Sequence, residues 1–125
     1  MLLLENTTEK IIASFYKVYN TLGYGFLEKV YENSLIHELN LQGLNAVSQY
    51  PIDVFYDGIK VGNYFADIMV NSEIIIELKA AETIAKEHEL QLINYLKSTS
   101  IEVGLLLNFG KKPEFKRKIF TNDLK

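Results

Sequence analysis

Ile74-Ile75-Ile76, followed by Glu77 and Leu78, is the segment that most limits how this chain can fold. A nearly unbroken β-branched run suits a central strand covered on both faces, so it needs packed layers above and below it. The flanking patterns supply them. Ile11, Ile12, Phe15, Val18 and Tyr19 recur at helical spacing, with a start expected near Asn6 and Glu9 as a capping-box partner. Gly23-Tyr24-Gly25 interrupts this helix. A second is predicted from about Phe26 to Gln42, with Leu27, Val30, Tyr31, Leu35 and Leu39 as its apolar stripe and Gly43 as its cap.

The period then changes from helical to two. Ile52, Val54 and Tyr56 mark a strand, and Asp57-Gly58 is a two-residue hairpin turn. A return strand is expected from Ile59 to Val70, with Gly62 marking a bulge. Ile74 to Leu78 follows after a turn at Asn71-Ser72. A third helix is predicted from about Lys86 to Ser98, then strands at Val103–Leu107 and Phe115–Phe120. The order ααβββαββ predicts an α/β domain with a mixed β-sheet flanked by helices. At 125 residues it is read as one domain, 1–125.

Composition removes several chemistries. Without cysteine there is no disulfide, thiolate zinc site or cysteine nucleophile, and His37 and His88 lack a metal-binding spacing. Any metal must be held mainly by carboxylates, which points to magnesium or manganese. The Met1-Leu2-Leu3-Leu4-Glu5 start does not read as a secretory signal, and no apolar stretch reaches membrane-spanning length, so no membrane partner and a cytoplasmic location are expected. The net charge of −3 opposes extended nucleic-acid binding. Lys111, Lys112, Lys116, Arg117 and Lys118 nevertheless cluster near the C-terminus. The plainer reading of that cluster is a charged, solvated edge strand. Lys111 and Lys112 are its candidate substrate contacts.

Residues two apart on a strand share a face, so Glu77 and Lys79 are neighbours. A three-residue loop, Asn71 to Glu73, sets Asp67 directly across from Glu77. A two-residue loop would set it across from Ile76. Two facing carboxylates repel unless a cation lies between them. A carboxylate-bound magnesium suits attack on an anionic phosphodiester, and a nearby lysine can orient the attacking water. Taken by spacing alone, an aspartate followed by Glu-x-Lys is as well explained by a solvated strand end with a surface ion pair. Against that, an acid and a lysine directly after a buried run are costly unless paired or facing a cleft. Glu28 borders the stripe of the second helix, and Gln91 and Tyr95 share one face of the third.

Gly25-Phe26-Leu27-Glu28-Lys29-Val30-Tyr31 reads as a GxxExxY signature. With Tyr64-Phe65-Ala66-Asp67, Ile76-Glu77-Leu78-Lys79, Gln91-Leu92-Ile93-Asn94-Tyr95 and Leu105-Leu106-Leu107-Asn108-Phe109-Gly110, the chain resembles the GxxExxY protein family of the PD-(D/E)XK nuclease superfamily over nearly its whole length. The resemblance implies a restriction-endonuclease-like fold and a metal-dependent nuclease acting on nucleic acid, DNA first, and leaving a 5′-phosphate. It implies Asp67 and Glu77 as metal-binding acids, Lys79 as the catalytic lysine and Glu28 as a helix-borne acid. Leu78 would lend its main-chain carbonyl to the metal. Gln91 would help orient Lys79 or the phosphate, with Tyr95 beside the substrate. Ala66 stands where the superfamily's motif has proline. A non-catalytic nucleic-acid-binding or assembly module on the same fold is the alternative. Exposed apolar candidates Tyr24, Phe26 and Phe115 leave room for a homodimer.

Overall fold

The computed structural model describes residues 3–125, so the Met1-Leu2 part of the signal reading lies outside the described residues. The elements run α1 (Glu5–Leu22), α2 (Glu28–Leu41), β1 (Ala46–Tyr56), β2 (Ile59–Val70), β3 (Ile74–Lys79), α3 (Lys86–Lys97), β4 (Val103–Phe109) and β5 (Pro113–Ile119), closed by a short 3-10 turn at Asn122–Leu124. The strands form one sheet in the order β1-β2-β3-β4-β5. All neighbours are antiparallel except β3 and β4, which α3 links in parallel. The expected ααβββαββ order is therefore present.

The two faces of β3 explain its composition. Ile74, Ile76 and Leu78 pack toward Ile11, Phe15, Tyr31 and Leu35 of α1 and α2, while Ile75 packs toward Leu92 and Leu96 of α3. All are essentially inaccessible to water, and each fully buried aliphatic side chain contributes roughly 1.5–3 kcal/mol.

Several sequence expectations need correction. The capping box at Asn6 and Glu9 does not form. The helix begins one residue earlier, with Leu4 as N-cap at φ 55° and no side-chain cap, so Asn6 lies inside the first turn. The second helix begins at Glu28, leaving Leu27 before it and exposed, and Val30 is exposed as well. Tyr31, Leu35 and Leu39 carry its buried stripe. Strand β1 starts at Ala46, well before Ile52. Val47 to Pro51 is an exposed edge stretch, where no alternation need appear and Pro51 is tolerated. The bulge expected near Gly62 is present: Val54 pairs with Gly62 and Phe55 with Lys60, leaving Val61 unmatched.

The lead into α2 shows why a glycine and a tyrosine belong there. Gly25 sits at φ 108°, in the half of backbone space that only glycine enters freely. The Tyr31 hydroxyl donates to the Gly23 carbonyl at 2.7 Å and accepts from the Phe26 N–H at 3.2 Å. Its ring stacks on Phe109 at 4.3 Å. One buried side chain thus ties the Gly23–Phe26 turn to the end of β4.

Candidate active site

Strands β2 and β3 are joined by the three-residue loop Asn71–Glu73, with Asn71 and Ser72 both in the left-handed region. Val70 pairs with Ile74, Met69 with Ile75 and Ile68 with Ile76. The same register sets Asp67 across from Glu77. Here the backbone ladder gives way to side chains. The Asp67 N–H donates to Glu77 Oε1 at 3.1 Å, and the Leu78 N–H donates to Asp67 Oδ2 at 2.8 Å. Each carboxyl replaces a main-chain acceptor, and the two acids are held against each other.

Their electrostatics follow from that confinement. Glu77 is only 4% exposed. Burial first, and then the adjacent Asp67 charge, push its pKa from the ordinary 4.5 up to about 8, while the Asp67 amide and Lys79 pull it down. Asp67 is also raised, chiefly by burial. The Leu78 N–H opposes this, Glu32 and Glu28 add to it, and Lys79 opposes it. Lys79 is half-buried at the end of β3 and counters both acids by charge. Tyr95 is pushed up to about 12 by burial and by the nearby Glu77 charge, so it stays a neutral phenol. Gln91 Nε2 donates to that phenol at 2.9 Å, as their spacing on α3 predicts.

The remaining candidates lie further out. Glu28 is exposed at the first turn of α2 and acts on Asp67 through its charge. Lys111 and Lys112 are exposed in the turn after β4, at the same end of the sheet as Lys79, and Lys111 lies 3.8 Å from Glu82. Of the β5 cations, Lys118 is paired with Glu89 at 2.6 Å, Arg117 donates to the Leu3 carbonyl and Lys116 is exposed. Two residues of the site escaped the sequence reading. Glu32 is a buried carboxylate accepting from Ser48, Gln49 and Lys29. Burial raises its pKa, but those three bonds together outweigh burial and hold it below the ordinary value. Its position four residues after Glu28, on the Leu35–Leu39 side, was the available signal. Asn108 is fully buried and clamps Ala81 from both sides, accepting from its N–H and donating to its carbonyl, each at 2.9 Å. That clamp fixes the chain immediately after Lys79.

Among the described residues no three Asp, Glu or His side chains stand close enough to hold an ion between them. The Asp67–Glu77 pair still fits a hard divalent cation. Each acid spends one oxygen on an amide, burial raises both pKa values and so disfavours the uncompensated charges, and the carboxyl ligand atoms are all oxygens.

A mixed five-stranded sheet between helices, in the order ααβββαββ, defines a restriction-endonuclease-like α/β fold. The chain belongs to the PD-(D/E)XK nuclease superfamily, whose sequence profile matches residues 5–118. The crystal structure of SSO0001 is similar in fold, with a TM-score of 0.56 at 20% identity, covering 74% of this chain and 50% of that one. The similar region is thus half the length of that protein. No curated protein matches the sequence. The superfamily is one of nucleases, which typically use divalent metals. No described helix is long and apolar enough to cross a membrane.

Proposed function

We propose that this chain is a metal-dependent nuclease of the GxxExxY kind, a single domain that hydrolyses phosphodiester bonds, DNA first, in the cytoplasm. The observation that carries this reading is the buried Asp67–Glu77 pair with Lys79 on the same strand face. These two acids would hold magnesium or manganese, with Glu28 and the Leu78 carbonyl as further ligands. When bound, the ion supplies Lewis-acid activation of the phosphate and of a water. Lys79 orients the attacking water and offsets charge growing on the phosphate. Gln91, steadied by Tyr95, fixes the direction of the Lys79 amine or of a phosphate oxygen. Tyr95 remains a hydrogen-bond donor at any working pH. Lys111 and Lys112 meet flanking phosphates, and the product carries a 5′-phosphate. A homodimer would let two such sites cut both strands.

In cleavage assays on plasmid and labelled oligonucleotides, Asp67→Asn and Lys79→Ala are expected to be inactive yet folded. Unchanged cleavage in both rejects the site. A second reading, a non-catalytic nucleic-acid-binding or assembly module, draws support from the lack of a third close acid among the described residues and from the net charge of −3. Calorimetric titration with manganese separates the two. A heat of binding that vanishes in Glu77→Gln favours the enzyme; no heat favours the module.

A further inference from the structure

A groove of about 690 Å³ runs between α3 and the outer half of the β1–β2 hairpin. Its walls include Val54, Tyr64, Leu90 and Tyr95, and its polar groups include the amides of Gln91 and Asn94, the Ser98 hydroxyl and the His88 ring. The Tyr64 ring is 50% exposed and lies 5.8 Å from that of Tyr95, tilted by 46°. Gly62, two residues earlier on the strand, has no side chain to cover it: a Cβ there would touch the Tyr64 ring edge at 3.4 Å. A flat aromatic face is thus left open three residues from Asp67, in a groove that Tyr95 also lines.

Resting on the nuclease reading above, we propose that this groove binds single-stranded nucleic acid by its base faces, with one base stacked on Tyr64 and its phosphate delivered to the acid pair. Charge decides between one strand and two. A duplex presents two phosphate rails and needs a basic wall. Besides the His88 ring, the groove offers one lysine, Lys97, which lies over the Phe120 ring, and one acid, Glu87. The β5 cations Lys118 and Arg117 are already engaged within the fold. Neutral amides and open rings match unpaired bases, which expose both π faces and hydrogen-bonding edges. Tyr95, which lines the groove, is also near enough to Glu77 and Asp67 for their charges to raise its pKa, so the groove and the candidate active site share this neighbour.

The test is fluorescence anisotropy of the whole chain with a labelled DNA single strand, the equivalent RNA strand and the blunt DNA duplex, with calcium replacing magnesium to suppress turnover. Either single strand should bind roughly tenfold or more tightly than the duplex, and Tyr64→Ala should weaken it by roughly tenfold or more. Tyr64→Phe, which keeps the ring, should bind as the parent does, and matched melting temperatures exclude a folding defect. Equal or tighter duplex binding, or an unchanged Tyr64→Ala, overturns the proposal. So does sedimentation showing a dimer that Tyr64→Ala dissociates, because a second copy would then cover the ring. The nuclease reading fails separately: Tyr64-dependent binding of single strands that magnesium never cleaves keeps the groove and removes the enzyme. Asp67-dependent cleavage of duplex with no single-strand preference does the reverse.

Discussion

Replacing Glu77 by glutamine should make the metal-free protein more stable at pH 8 and leave it nearly unchanged at pH 5. In the native protein the Glu77 pKa rises from 4.5 to about 8, because burial and the Asp67 charge both disfavour its ionised form. Its folded pKa lies above its unfolded one. The stability from the protonated form is therefore complete below about pH 4.5 and is lost as pH rises through about 8. Asp67 is raised too, so its contribution has the same sign. At about 1.4 kcal/mol per pH unit, ionising Glu77 inside the fold costs on the order of 3–5 kcal/mol. Glutamine keeps Oε1 to accept the Asp67 N–H, and its amide can donate to the Asp67 carboxylate as the shared proton would. Urea unfolding in EDTA from pH 5 to pH 8 should show the native protein losing on the order of 3 kcal/mol, roughly 10 °C in Tm, while Glu77→Gln loses much less. Magnesium should restore the native protein at pH 8 and leave the variant unaffected. Parallel stability curves for the two proteins would refute the idea that the pair is held against its own repulsion.

Other substitutions probe the supports of the site. Lys79→Met removes the cation that lowers both acids, so it should abolish cleavage, retain the calorimetric heat of manganese binding and steepen the loss of metal-free stability toward pH 8. Gly110→Ala would set a Cβ 2.2 Å from the Ala81 carbonyl oxygen. It should cost about 1–3 kcal/mol in urea unfolding and slow single-turnover cleavage by displacing the chain that follows Lys79. Tyr31→Phe leaves the Gly23 carbonyl and Phe26 N–H without their shared partner. It should destabilise by about 1–3 kcal/mol, measured by urea unfolding.

The adjacency of Asp67 and Glu77 could be read from the sequence because strand periodicity is rigid. Once the loop is three residues long, the register follows, and Asn71 and Ser72 at φ 53° and 55° allow that length. The Gln91–Tyr95 bond was readable for the same reason, from helical spacing. Glu32 was not, because its partners Ser48 and Gln49 lie in the edge stretch of β1, whose exposure removes any pattern. Nor was a change of face in the hairpin. Ala46 and Ile68 belong to the core under α1 and α2, whereas Ile52 and Ala66 belong to the core under α3, although each pair is an even number of residues apart. Strict alternation would keep them together. The switch falls at Gln49 and Asp67, and Gln49 has a φ of 55°. Strand twist and a non-glycine residue in the left-handed region leave little trace in side-chain pattern.

That switch gives the acids a structural duty, and it predicts which substitutions the fold accepts. The last backbone pair of β2 and β3 is Ile68 with Ile76. Beyond it the Asp67 and Leu78 amides would have no acceptor but for the two carboxyls. A buried N–H left unpaired costs about 1–3 kcal/mol. Asp67→Asn retains an oxygen for the Leu78 N–H, whereas Asp67→Ala does not. Both should be inactive, but the alanine variant should be less stable than the asparagine variant by about 1–3 kcal/mol at pH 5, where charge repulsion between the acids is largely absent. Equal stability of the two in urea would mean that water satisfies the Leu78 amide, and the carboxyls would then have no share in holding the notch open.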